Sequence, residues 1–521
     1  MKIKIVSIFK ILKSIGKNQL AIGKNQYAIG NKQLAEPADS RALRISVPLL
    51  IAYCLLLIVL LGSCKKFLDV KPEDSVQEEL LYSTEAGFQT HLNGIYLNLT
   101  DNNLYGGQLT MEMLDVLAQR YNCISATPGS RFNDLAAYTY TSSKVKPKIT
   151  AVWNSMFSTI ANINTLLEKA DEHSSIFSGD NYDLIKGEGL GLRAFLHFDI
   201  LRMFGPVYKT DSTVLKLVPY YTSKTTAAGE LRTAKDVIEL ILADLKEAEK
   251  YLQADPIITG GRAGYASSSF TQARHLRMNY YAVKLLQARV NLYASRKEDA
   301  LAAARKVIEK QAAWFPFVTI AEVQNTRNPD RVFSNELVFA TQDINIESKY
   351  KDFFIPSQID SNILAPVQTK LDKVYEASAN DYRYFPQTWA VPSDGSKAYK
   401  CFYKYAPTND TAIRKYSIPL MRVTEAYLIA AEAATVTADK FQYLNTVRAA
   451  RNLQPLATTV TFATELTKEY QKEFYGEGQL FFYYKRNNTT SIENGSVTGN
   501  ITMNADKYII PLPESETSSR N

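Results

Sequence analysis

The sequence predicts a mainly α-helical fold in which antiparallel helix pairs form a scaffold interrupted by long irregular insertions. Three observations carry this. The strong apolar periodicities along the chain run near 3.6 residues. Segments 278–311 and 423–451 repeat one helix–turn–helix plan. Segments 99–148 and 315–416 carry little helical pattern and are rich in Asn, Asp, Thr, Pro and aromatics.

With 521 residues, 46% hydrophobic and 22% charged, the chain is neither disordered nor a polytopic membrane protein. At roughly 150 residues per domain, its length allows about three domains or one large fold. The net charge of +7 is local. Of 60 Lys and Arg, nine lie in residues 1–63 against two acids, which leaves 51 of each sign from Cys64 onward. Phosphate binding needs clustered positive charge, so a nucleic-acid role is disfavoured.

The N-terminal excess belongs to a signal region, residues 1–63. Residues 45–61, ISVPLLIAYCLLLIVLL, form an uncharged run after Arg41 and Arg44 and fit a signal-peptide core. Leu61-Gly62-Ser63-Cys64 follows directly, with small residues before a thiol, the pattern of a lipobox. It predicts cleavage before Cys64, lipidation of Cys64 and a membrane anchor. Residues 15–35 hold three near-copies, IGKNQLA, IGKNQYA and IGNKQLA. Each copy is poor in apolar residues and carries a helix-weakening Gly, which argues against a coiled coil. The segment reads as repetitive DNA translated upstream of the true start. Beyond Cys64, only Cys123 and Cys401 remain, and their pairing in an oxidising envelope is left open.

The predicted elements follow in order. A polar tether after Cys64 leads to a helix over 83–99, with Ser-Thr-Glu at its start and Phe88, Leu92 and Ile95 on one face. Residues 149–170 place Val152, Met156, Ile160 and Ile163 at helical spacing. Residues 182–204 form a long helix stopped by Gly205-Pro206. Residues 233–252 use Thr233 as cap. Residues 277–294 and 298–310 form a pair, and 418–434 with 441–452 form a second. In the first pair, Ala282, Ala288, Ala300 and Ala303 permit close approach, and in the second Ala426, Ala430 and Ala450 do the same. A unit of about 34 residues is the tetratricopeptide (TPR) period, here degenerate.

No catalytic motif stands out. The four histidines, His91, His173, His197 and His275, form no HExxH pair, and neither a GxSxG elbow nor a phosphate loop occurs. No cofactor or metal is implied. His197 reads as a core histidine. Gly187-Glu188-Gly189-Leu190-Gly191 lacks the strand and final spacing of a dinucleotide fingerprint. The loops instead join amides to aromatics, whose apolar faces stack on sugar rings. Asn102, Asn103 and Tyr105 form one such group; Tyr382, Tyr384 and Trp389 form another. These six are the expected ligand-binding residues.

Five segments together resemble the SusD/RagB family of outer-membrane nutrient-uptake lipoproteins. They are CKKFLDVKP at 64–72, GLRAFLHFDILRMFGPV at 191–207, MRVTEAYLIAAEA at 421–433, LNTVRAAR at 444–451 and YIIPLPESE at 508–516. They occur in order across nearly all of residues 64–521, which the resemblance makes one glycan-binding domain. One departure stands at 473–486, where Leu480 and Tyr483 replace an Arg and an Asp of the family pattern. The resemblance implies a non-catalytic, surface-exposed lipoprotein of the outer membrane. It would bind oligosaccharides and deliver them to a SusC-like, TonB-dependent transporter. Two other readings stand beside it, a TPR-like envelope scaffold for protein or peptide partners and an envelope hydrolase.

Overall fold

A computed structural model describes residues 78–123, 129–225, 227–264, 269–409, 413–518 and 520. The signal core, the 15–35 repeat and Cys64 lie outside the described residues. The first helix, α1, is Glu85–Asn98; Thr84 caps it by accepting from the Gly87 N–H at 3.2 Å. Next come α2, Lys146–Glu172, and α3, Asn181–Phe204. The β1–β2 hairpin, Lys216–Pro219 with Leu231–Thr233, precedes α4, Ala234–Tyr251, which Thr233 caps. The first predicted pair is α5, Tyr280–Tyr293, and α6, Lys297–Ile308.

Strand β3, Leu337–Gln342, lies in the second insertion. It is followed by the short strands β4, Trp389–Ala390, and β5, Cys401–Phe402. Then β6, Ser417–Arg422, leads into α7, Val423–Ala433, and α8, Thr437–Ala450. Residues 418–422 were expected to be helix and are strand. Pro419 lacks the N–H a helix interior needs, and β6 pairs antiparallel with β3, Leu337 facing Arg422 and Gln342 facing Ser417. Two further helices, α9, Phe462–Glu473, and α10, Gln479–Asn487, complete the scaffold.

The helices pack in one row, α2 on α3, α3 on α4, α4 on α5, then α5, α6, α7 and α8 in turn. The two predicted pairs are therefore the C-terminal part of a longer TPR-like stack. Small residues set its spacing. Ala288 and Ala430 are fully buried. In α3 a Cβ on Gly187 would lie 2.5 Å from Leu252, and one on Gly191 2.5 Å from Met278. The glycine run is thus a packing surface. Glu188 within it is buried, accepting from Arg274 Nη1 at 2.7 Å and the Tyr96 hydroxyl at 2.6 Å.

The second insertion is less irregular than its composition suggests, because a buried charge network clips it to the scaffold. Arg383 donates to Asp381, to Glu469 at 2.9 Å and to Glu473 at 2.9 Å. Arg451 bridges Glu473 and Glu336, each at 2.6 Å, and Arg422 joins Glu473 to Glu477. Desolvation opposes these charges, but the surrounding guanidinium groups hold the Glu473 carboxyl well below its ordinary range. Leu480 and Tyr483, the family departure, are buried, and Tyr483 stacks on Tyr470 at 4.1 Å. Replacing both polar residues together leaves no orphaned charge. Cys123 and Cys401 are both free and buried, so the pairing left open by the sequence does not form. Among the described residues no helix is long and apolar enough to cross a membrane.

Candidate functional site

The two insertions meet in a cleft of about 240 Å³ lined by Asn122, Asp360, Ile363, Ala365, Pro366, Val367, Gln368 and Tyr399. Backbone bonds seam the segments together. The Asn122 N–H donates to the Ala365 carbonyl at 2.8 Å, and the Arg131 N–H to the Ser361 carbonyl at 3.0 Å. Ile363 and Ala365 form an apolar floor over Cys401. Burial pushes the Cys401 thiol up to about 12, which leaves it a protonated, inert packing group.

The polar rim is pre-set. The Tyr399 hydroxyl donates to Asp360 Oδ1 at 2.7 Å, and Lys397 Nζ lies 2.8 Å from the same oxygen. Those two hydrogen bonds, Lys397 first, hold the exposed Asp360 carboxyl below its ordinary range. It is an ionised acceptor at neutral pH. Gln368 accepts from the Lys400 N–H at 3.1 Å and donates to Asp372 at 2.8 Å. Lys400 Nζ reaches the Tyr384 hydroxyl at 2.6 Å and lies 3.8 Å from the centre of that ring. A half-buried tyrosine, a carboxylate and amides around an apolar floor suit a ligand with one apolar face and many hydroxyls. No group of three or more His, Cys, Asp or Glu side chains among the described residues is placed to hold a metal ion.

Of the six expected ligand residues, only Tyr384 adjoins this cleft, through Lys400. Its ring lies 4.9 Å from Tyr375, stacked on one side, with Lys400 against it as well. Tyr382 is half-buried beside Phe385, 5.4 Å away. Two expectations are corrected. Tyr105 is 2% exposed; its ring meets Phe195 at 5.2 Å and its hydroxyl donates to Asp199 at 2.7 Å. The loop curls because the Tyr105 N–H bonds back to the Leu99 carbonyl, which turns the ring onto α3. Trp389 is 1% exposed, stacked on Phe402 at 4.5 Å with Tyr475 edge-on at 4.9 Å. The β4–β5 pairing that sets Trp389 opposite Phe402 leaves no ring face for a ligand. Asn102 is exposed and Asn103 half-buried in the Tyr105 turn, where the Asn103 N–H donates to Asp101. Asn122, Asp360, Gln368 and Tyr399 were missed, although all four lie within the two insertions marked as functional.

Comparison with known proteins fits this architecture. A family model described as "Starch-binding associating with outer membrane" matches residues 66–262. A second, described as "SusD family", matches residues 340–518. A SusD-like protein of Formosa agariphila is 24% identical over 511 residues, covering 87% of this chain and 93% of that protein. Another from the same organism is 20% identical over 286 residues, and there the chain spans about half, 48%, of its relative. A SusD superfamily protein of Bacteroides thetaiotaomicron shares the fold at TM-score 0.66 and 23% identity, covering 84% of this chain and 98% of that one. Surface glycan-binding protein A of the same organism does so at TM-score 0.62 and 16% identity, with 84% and 98% covered. The two SusD models, over residues 66–262 and 340–518 and together spanning most of the chain, agree with the helix row and with the motif order: this chain belongs to the SusD/RagB family.

Proposed function

We propose that the protein binds oligosaccharides in the loop-junction cleft and delivers them, without turnover, to a TonB-dependent outer-membrane transporter. The observation that carries this is the cleft itself. Tyr399, Asp360, Asn122 and Gln368 surround an apolar floor at a place where both insertions meet. The matched family description, starch binding in association with the outer membrane, supports the ligand class and the location. Asp360, held by Lys397 and Tyr399, is placed to accept from sugar hydroxyls. Cleavage before Cys64 and lipidation of its thiol would hold residues 64–521 on the cell surface, with the polar stretch after Cys64 as tether.

A glycan array with the purified protein, paired with a reducing-sugar assay on each bound glycan, tests the reading. Binding of at least one glycan with no sugar released supports it. Release of reducing sugar overturns the non-catalytic assignment, and an array without binders overturns the glycan assignment.

A further inference from the structure

Helix α2, residues 221, 223, 225, 227 and 228, and Glu516 line another cavity, of about 500 Å³, which shares no lining residue with the cleft. Its aromatic wall is Trp153, Phe157 and Tyr221. Phe157 and Tyr221 meet at right angles, 87°, with centroids 5.4 Å apart, and Trp153 lies 4.6 Å from Phe157. Around this corner stand the Asn154 amide, the Ser223 and Thr225 hydroxyls and the Glu516 carboxylate. None of the residues lining it is Lys or Arg.

The walls are fixed without a ligand. Asn164 Nδ2 donates to the Tyr221 and Ser223 carbonyls, both at 3.2 Å, while its Oδ1 accepts from Arg193 at 3.1 Å. The Tyr221 N–H donates to His197 Nε2 at 3.0 Å, and its hydroxyl accepts from the Gly229 N–H at 2.8 Å. Arg520 donates to Glu516 at 2.8 Å and to the Gly229 carbonyl, which ties the C-terminal segment to the partner of Tyr221. A site so held costs little ordering on binding.

We propose that this cavity is a second carbohydrate site, taking the end of a neutral oligosaccharide. One pyranose ring sits in the corner of Phe157 and Tyr221, with its hydroxyls on Asn154, Ser223, Thr225 and Glu516. With Glu516 paired to Arg520 and no Lys or Arg among the lining residues, the cavity offers no cation to hold a uronate or sulfate, so it favours neutral sugars. The inference rests on the glycan-binding reading and adds a site on the helical scaffold to the one between the insertions.

Isothermal titration of the purified protein with maltoheptaose, cellohexaose, xylohexaose, laminarihexaose and mannohexaose tests it, with tryptophan fluorescence followed in parallel. Two sites are expected for at least one probe. Ala161→Phe, which fills the cavity, should remove one site and leave the other, and Tyr399→Ala should weaken that other site several-fold and leave the cavity site unchanged. The fluorescence change should survive Tyr399→Ala and vanish in Trp153→Phe. Should Ala161→Phe melt early, Asn154→Ala and Phe157→Ala serve in its place, each weakening this site by about tenfold. A single site that ignores every cavity variant overturns the inference and leaves the glycan reading intact. No binding of any of the five probes by a protein that binds other glycans on the array overturns the inference alone, and an array without binders overturns both.

Discussion

Arg289 and Glu425 lock the two predicted helix pairs together. Arg289 Nε donates to Glu425 Oε1 and its Nη2 to Glu425 Oε2, each at 2.6 Å, across α5 and α7, and both side chains are 7% exposed. A second bond from Nη2 to the Leu420 carbonyl, 3.0 Å, ties strand β6 into the same joint. Removing one partner of a buried pair leaves an uncompensated charge, so Glu425→Ala should cost ~3–5 kcal/mol. Arg289→Met combined with Glu425→Leu should cost clearly less than the two single changes summed. Urea denaturation of all four proteins gives the coupling, and additive losses would mean the pair is not the joint.

The alanine contacts make a separate test of the stack. Ala288 and Ala430 are fully buried on facing helices. Ala288→Leu and Ala430→Leu should each overpack the contact and cost ~1–3 kcal/mol. Unchanged melting of both variants would contradict the helix row.

His197 gives the fold a pH dependence. Its Nδ1 bonds the Arg193 carbonyl at 3.0 Å and its Nε2 accepts the Tyr221 N–H, so the ring is held neutral. Burial, the largest cause, and the nearby Arg193 charge pull its pKa down to about 3. The unfolded chain takes up a proton below about pH 6.5, which the folded chain refuses until about pH 3. The neutral ring's stabilisation is therefore complete above pH 6.5. It is lost as pH falls toward 3, by up to ~1.4 kcal/mol per pH unit. Urea titrations from pH 7 to pH 4 should show a slope steeper by about one proton in wild type than in His197→Asn. Equal slopes would place the ring in solvent.

How far these features were legible in the sequence differs by element. The helices were, because Val237, Ile238, Ile241 and Leu245 repeat at the spacing that burial imposes, and Thr84 and Thr233 mark their own caps. The first five residues of the 418–434 segment were not, since Ile418 and Leu420 fit either period until β3 is placed beside them. Neither was the core role of Trp389. A loop tryptophan reads as a ligand platform, and only its pairing opposite Phe402 and the approach of Tyr475 from the scaffold, far along the chain, bury it. The cleft failed for a related reason. Asn122 and Asp360 are ordinary loop residues about 240 positions apart, and what makes them a site is the backbone seam between 122 and 365.

That reassignment is itself testable. Trp389→Ala and Tyr105→Ala should behave as core truncations, with losses of ~3–5 kcal/mol like Phe198→Ala. Melting temperatures close to wild type for either would return that ring to the candidate ligand surface.

The processing of the N-terminus is checked by mass spectrometry of the membrane-derived protein. Residues 1–63 should be absent and Cys64 acylated, while Cys64→Ala should leave an uncleaved, unlipidated precursor. Peptides from residues 15–35 in the mature protein would contradict both the cleavage and the misplaced start.

The most direct measurement is the affinity of wild type and Tyr399→Ala for the tightest glycan of the array, with the melting temperature of each recorded. One stacking contact is worth on the order of 1 kcal/mol, so the variant should bind several-fold more weakly at an unchanged melting temperature. Equal affinities in two equally stable proteins would contradict the assignment of the loop-junction cleft as the glycan site.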